Sequence, residues 1–211
     1  MDYTDLPFVV ERMELRDIEQ VCQIEQVSFP TPWPSSAYRY ELRRGDVAHY
    51  FVARPQGAYI AQVLPFETGK EKGLLRQIGR WLSSSTPDER PPIVGYGGFW
   101  LAVDEAHIST LAVRPDQRRK GIGELLLVTL IDHALAVRAR FLTLEVRESN
   151  EAAQHLYRKY RFQEAGRRLR YYSNKEDALI MSTEPLTSPA FQDNLARRKE
   201  RLRRRLKAMM G

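Results

Sequence analysis

Apolar positions along the chain change period several times, and each change marks an element. Residues 8–13 (FVVERM) predict a first strand. Over 15–28, Leu15, Ile18, Val21, Cys22 and Glu25 recur at helical spacing. The proline-rich run from Ser28 through Phe29, Pro30, Thr31, Pro32 and Trp33 to Pro34 then interrupts that helix. Ser35 is placed to cap a second, short helix through Arg44, with Gly45 to end it. Residues 48–54 predict a second strand, and 93–103 with 106–113 an antiparallel pair turning at Asp104-Glu105. From 119 to 138, Ile122, Leu125, Leu126, Thr129 and Leu130 give a long helix a broad apolar face. Residues 141–147 (FLTLEVR) are nearly all apolar or β-branched, as a central strand requires. A helix over 150–160 and a strand pair at 162–173 and 177–183 complete the pattern. The order β-α-α-β-β-β-α-β-α-β-β predicts one mixed α/β domain over residues 1–186.

Two segments lie outside that plan. Residues 55–92 separate two strands that a short hairpin could join. Loop-like stretches at both ends enclose Leu74, Leu75, Ile78, Trp81 and Leu82, which predict one amphipathic helix inside the insertion. From the order of elements, this insertion is expected at the end of the sheet where strand 106–113 finishes. Residues 187–211 form a second appendage. Leu195, Leu202, Leu206 and Met209 give it a narrow apolar stripe, so a helix over about 189–209 is expected.

Charge changes the picture only once it is located. The chain of 211 residues carries a net charge of +6, but residues 197–207 hold eight basic and one acidic residue, a net +7. The remainder stands at −1, so basicity belongs to the tail. That tail suits either a helix packed on its own domain or a contact with ribosomal RNA, and the packed helix is the expectation. The single cysteine, Cys22, allows no intrachain disulfide and reads as a buried helix position. Four histidines are scattered without ligand spacing, so no metal is expected. No signal peptide or membrane-spanning run is evident, and a cytoplasmic protein is expected.

Chemistry concentrates in 111–162. Leu111, Ala112, Val113, Arg114 and Pro115 end a strand. Arg118, Arg119, Lys120, Gly121, Ile122, Gly123 and Glu124 form a basic, glycine-containing turn into a helix, where unpaired N–H groups favour phosphate. Gly121 and Gly123 are expected to let backbone approach the ligand. Glu145 sits inside a strand that is otherwise apolar. A carboxylate there is costly unless it has a partner or a task, and alternation offers Arg147 as an ion-pair partner on the same face. Asn150 and Tyr157 are seven apart and share one helix face; capping and core packing are their plain structural roles.

The stretch from Arg118 to Gly123 matches the Q/R-x-x-G-x-G/A signature of the GNAT acetyltransferase superfamily, and residues 8–184 resemble that fold apart from the insertion. The string Glu145-Val146-Arg147-x-Ser149-Asn150-x-Ala152-Ala153-x-x-Leu156-Tyr157, with Arg161-Phe162, closely resembles the RimI subfamily, alanine N-acetyltransferases of a small-subunit ribosomal protein. The Phe29-to-Trp33 segment and Arg170-Tyr171-Tyr172 also fit. The resemblance implies acetyl-CoA as co-substrate, with its diphosphate on the amides of 119–124, its pantetheine paired along Leu111, Ala112 and Val113, and Asn150 bonded to the same arm. An amide near Val113 would face the thioester carbonyl. It further implies Glu145 as general base, Tyr157 as general acid and a protein N-terminus as acceptor. Trp33, Tyr171 and Tyr172 are candidates to line the acceptor groove or to pack the domain edge. The insertion and basic tail depart from the compact RimI pattern. Two other functions stay open: a GNAT acting on a small amine or lysine side chain, and a ribosome- or RNA-binding module with a vestigial transferase fold.

Overall fold

The computed structural model describes residues 5–63 and 90–210, so the helix expected around 74–82 lies outside the described residues. Seven strands form one sheet: β1 (Phe8–Arg12), β2 (Ala48–Pro55), β3 (Gly95–Ala102), β4 (Glu105–Val113), β5 (Phe141–Arg147), β6 (Gln163–Arg168) and β7 (Ala178–Ser182). Their spatial order is β1-β2-β3-β4-β5-β7-β6. β4 and β5 run parallel, and the other neighbours are antiparallel. Helices α1 (Ile18–Ser28) and α2 (Ser35–Leu42) cover one face around Ile18, Val21, Ile24 and Tyr38. Helices α3 (Ile122–Ala136), α4 (Glu151–Lys159) and α5 (Pro189–Lys207) contribute to the core on the other face. Every residue of β2 is buried, as expected of a strand covered on both sides.

Several local expectations change. Ser35 is the first residue of α2 rather than its cap; Pro34 takes the cap position, and no side chain bonds there. The helix ends at Leu42, before Gly45. The β3–β4 turn falls on Val103-Asp104, one residue early, with Val103 at φ 59°. The closing strands are shorter than the apolar pattern implied, so Arg170, Tyr171 and Tyr172 belong to their connection.

The tail is a structural helix. Ser188 caps α5 by accepting from the Phe191 amide at 3.1 Å, with Pro189 in the first turn. Phe191, Leu195, Leu202 and Leu206 are buried, each worth about 1.5–3 kcal/mol in apolar burial. This explains why α3 is apolar on every side: Leu125, Leu126, Leu127, Val128, Leu130 and Ile131 are all fully buried, because α5 covers the side that the sheet does not. Five of the eight tail cations pair with carboxylates: Lys199 with Asp132, Arg203 and Lys207 with Asp5, Arg204 with Glu200, and Arg205 with Glu124.

The two ends of the insertion meet at Asp17, which is fully buried and accepts from Arg54 and Arg90 at 2.6 Å each. The first described turn of the insertion, Gly57–Gln62, seats Tyr59 edge-on against Phe8 at 5.0 Å. The Lys120 ammonium lies 5.7 Å from the Tyr59 ring centroid, so this part of the insertion does border the basic turn before α3. Among the described residues no helix is long and apolar enough to cross a membrane.

Candidate active site

The site begins with a break in the sheet. β4 and β5 pair from Glu105↔Phe141 to Ile108↔Leu144 and no further, although β4 continues to Val113 and β5 to Arg147. A bulge explains the divergence. Gly98 pairs with Thr110 and Phe99 with Ile108, which leaves Ser109 as an extra residue in β4. Bulges bend and twist their strand. Beyond this one the faces exchange: Leu111 and Val113 turn toward the α3 side, and Ala112 toward α1. Leu111, Ala112 and Val113 therefore pair with β3 on one side and leave the other open to an extended, amide-bearing ligand.

The turn after β4 carries the second feature. α3 starts at Ile122, three residues later than the apolar pattern implied, because Gly121 stands at φ 85° as its cap. Arg119 is also left-handed, at φ 67°, a conformation that costs an L-residue roughly 1–2 kcal/mol and often marks ligand clamps. Among the described residues the amides of 119–124 donate to no backbone acceptor. Six such donors at a helix start suit a diphosphate. The turn is braced from behind. Arg114, almost fully buried, holds Asp116 in a fork at 2.9 and 2.6 Å. Gln117 donates to the same carboxylate at 2.8 Å, and Lys120 donates to Gln117 at 2.9 Å. The Arg114 hydrogen bond is the main cause that holds the Asp116 carboxyl down at about 2. A methyl at Gly121 would meet the Arg205 guanidinium at 2.9 Å and Leu206 at 3.2 Å, so the guanidinium would have to shift. At Gly123 a methyl would find only ordinary protein contacts, Val113 at 3.5 Å first.

Glu145 is the first β5 residue past the last β4 pairing. Its carboxylate takes His107 Nε2 at 2.8 Å and Arg168 at 3.1 Å, and its side chain is 9% exposed. The expected partner Arg147 instead bonds Glu176 at 2.8 Å and lies 3.7 Å over the Tyr172 ring. The hydrogen bond from His107 is the largest influence on Glu145 and outweighs burial, so its carboxyl titrates below the usual range. His107 Nδ1 meets Thr143 Oγ1 at 3.1 Å, and Thr143 donates to Glu105 at 2.6 Å, so the imidazole is gripped at both nitrogens. Tyr157, on α4, is 7% exposed and packs on Phe162 at 5.6 Å. Burial raises its phenol, and Tyr172 adds to the effect. Tyr172, itself pushed up to about 12 chiefly by burial, feels both Glu145 and Arg147. Asn150 does cap α4: its Oδ1 accepts from the Ala153 amide at 3.2 Å.

Two connections flank this centre. Trp33, before α2, donates its amide N–H to Glu25 Oε1 at 3.0 Å and stacks on Trp100 at 5.9 Å. Trp100 in turn stacks on His107 at 6.0 Å. Trp33, Tyr40, Glu41 and Trp100 help line a cavity of about 510 Å³. On the other side, Tyr171 lies edge-on to Tyr172 at 5.1 Å and under Arg168 at 5.4 Å. Thr31 and Ser173 hydroxyls meet at 3.0 Å and join the two connections. Of the residues expected at the site, Glu145, Trp33, Tyr171 and Tyr172 are linked through His107, Arg168 and Trp100, three residues that periodicity gave no reason to select. His107 reaches Glu145 only through the β4–β5 register, which pairs His107 with Thr143.

The profile of the Acetyltransferase (GNAT) family matches residues 18–162. A putative ribosomal protein bS18-alanine N-acetyltransferase of Bacillus subtilis is 34% identical over 173 residues, 82% of this chain and 92% of that one. An N-alpha-acetyltransferase of Sulfurisphaera tokodaii is 29% identical over 175 residues, 82% of this chain and 90% of the other. The crystal structure of the ribosomal-protein-S18-alanine N-acetyltransferase from Escherichia coli superposes with a TM-score of 0.62 at 26% identity, covering 86% of this chain and 95% of that one. With a family profile spanning most of its length and relatives of this kind along the same fold, the chain belongs to the GNAT acetyltransferase family, as a RimI-like N-acetyltransferase.

Proposed function

We propose that this enzyme acetylates the N-terminal α-amine of a protein, a ribosomal protein beginning with alanine, with Glu145 as general base and Tyr157 as general acid. The observation that carries the reading is the end of the β4–β5 ladder at Ile108↔Leu144, which puts Glu145 at the mouth of the opening. The bS18-alanine activity named for the Bacillus subtilis and Escherichia coli relatives supports the choice of acceptor.

Bound acetyl-CoA supplies the acetyl group as an activated thioester. The residues present fit it: the six amides of 119–124, unpartnered among the described residues, with the charge of Arg118, Arg119 and Lys120 around them, would hold its diphosphate. The open edge at Leu111, Ala112 and Val113 would take its pantetheine, and the Asn150 side-chain amide would bond the same arm. An α-ammonium has a pKa of about 7.7–8.0, so roughly a tenth of the acceptor is already free amine at neutral pH. Glu145, ionised well below that pH, attracts the ammonium and takes its proton through water. The Tyr157 hydroxyl, kept protonated by burial, can deliver a proton to a departing thiolate. No covalent enzyme intermediate is required. Cys22 lies partly buried in α1 with its thiol raised by desolvation, which makes it a poor nucleophile. The remaining case for RNA contact through the tail rests on Arg197 and Arg201, which stay exposed.

The test is acetyl transfer to two alanine-starting peptides of equal sequence, both with one lysine and only one with a free N-terminus. Transfer is expected to the free α-amine alone. Equal labelling of the blocked peptide would move the acceptor to a side-chain amine and refute the proposal.

A further inference from the structure

We infer that Arg205, on the appended helix α5, is a phosphate-binding residue of the coenzyme A site. The inference rests on the cofactor reading above and adds to it a residue from outside the family-matched region, which ends at 162.

α5 lies antiparallel to α3. Lys199 meets Asp132 near the end of α3, and Arg205 meets Glu124 near its start. The last turn of α5, with Arg204, Arg205 and Lys207, therefore comes to the helix start where the amides of 119–124 donate to no backbone acceptor among the described residues. Arg205 is the cation aimed at that turn. Its guanidinium lies over Gly121, close enough that a methyl on Gly121 would touch it at 2.9 Å and Leu206 at 3.2 Å.

The side chain is also held in place. Arg205 donates to Glu124 Oε2 at 2.7 Å, while the other oxygen of Glu124 accepts from the Tyr160 hydroxyl at 3.1 Å. Glu124 is 9% exposed and Arg205 49%, so a buried carboxylate orients a half-open guanidinium. A guanidinium has five N–H donors, and Glu124 engages one terminal nitrogen. Two of the turn's own three cations, Arg118 and Lys120, also have partners. Arg118 donates to the Val113 carbonyl at 3.2 Å, and Lys120 donates to Gln117 and lies against Tyr59. Arg205 also offsets Glu124, whose carboxylate otherwise has only the Lys159 ammonium, at 4.0 Å, as a cation among the described residues. Arg205 thus does two things for a bound phosphate: it donates to it, and it offsets the carboxylate beside it.

The test uses the full chain and calorimetric titration with coenzyme A and 3′-dephospho-coenzyme A. Arg205→Gln is expected to weaken coenzyme A about tenfold and to flatten the dependence of affinity on salt. Arg197→Gln, the same charge change on the same helix, should leave affinity within about twofold. If the Arg205→Gln loss persists with the dephospho form, the contact is to the diphosphate; if it vanishes, the contact is to the 3′-phosphate; either supports the inference. Wild-type affinity in Arg205→Gln would overturn it, as would a weaker variant whose salt dependence matches wild type, since that describes only a brace for Glu124. If Arg205→Gln lowers the melting temperature of the free protein, Arg205→Lys serves instead and should recover most of the affinity; failure to recover it overturns the inference. A wild-type chain that binds no coenzyme A would defeat the cofactor reading itself, a result distinct from all of these.

Discussion

Lowering the pH from 7.5 to 5 should destabilise this protein through two histidines that play no part in acetyl transfer. His49 Nδ1 and His133 Nε2 lie 3.2 Å apart, with Arg12 3.4 Å from the same His133 nitrogen. Phe51 and Phe99 pack on the His133 ring at 5.0 and 5.9 Å. His49 is 5% exposed, and its Nε2 has no partner among the described residues. Burial first, then His49 and Arg12, depress His133 from 6.5 to about 4. Burial and Arg12 depress His49 as well, against a smaller opposing pull from Asp46. A folded pKa below the unfolded value means that the unfolded chain binds the proton more readily. Stability is then lost as pH falls below 6.5, and the loss is complete below about 4. A shift of this size corresponds to about 2 kcal/mol at pH 5, and solvent at the edge of the half-buried ring reduces it toward about 1 kcal/mol. Asp116 and Glu176, both lowered to about 2, lose their contributions only in more acid solution, outside this window. Urea denaturation at the two pH values measures the difference directly. His133→Phe keeps an aromatic ring against Phe51 and Phe99 and should remove most of it. An unchanged pH dependence in that variant would refute the assignment.

Three further outcomes follow from the packing and the site. Gly121→Ala should cost about 1–2 kcal/mol, from the left-handed backbone and from contact with Arg205, while Gly123→Ala should stay within about 0.5 kcal/mol; thermal denaturation of the pair checks this, and equal losses would contradict it. Leu202→Ala, at a position 1% exposed between α5 and α3, should lower stability by about 2–5 kcal/mol in urea titration; a loss under about 1 kcal/mol would mean that α5 does not cover α3 in solution. His107→Ala removes the main hydrogen bond that lowers Glu145, so the acid limb of the kcat/KM profile should move to higher pH; a limb that stays in place would exclude Glu145 as its origin.

The sequence carried much of this architecture because local pattern and fold agree in most segments. FLTLEVR reads as a central strand and is one, and Asn150 reads as a cap and is one. The errors have physical causes. Apolar periodicity runs back to 119, but the backbone cannot continue a helix through left-handed Arg119 and Gly121, so α3 starts at Ile122. Ser35 is a good cap residue, yet Pro34 already fixes extended backbone before it. The site divides in the same way. The amide turn and Glu145 are local and stand out, one as a glycine-bearing helix start and the other as a charge in an apolar strand. His107 and Arg168 are ordinary surface-type residues in sequence, and they reach Glu145 only through the parallel β4–β5 register and the β6–β7 hairpin.

Turnover by Glu145→Gln and Tyr157→Phe on an alanine-starting peptide, with coenzyme A affinity measured on the same samples, bears most directly on acid–base acetyl transfer at the β4–β5 opening. Each variant is expected to lose roughly 10²–10⁴-fold in kcat while binding the cofactor as wild type does. Wild-type turnover in both, or losses explained by cofactor affinity alone, would contradict it.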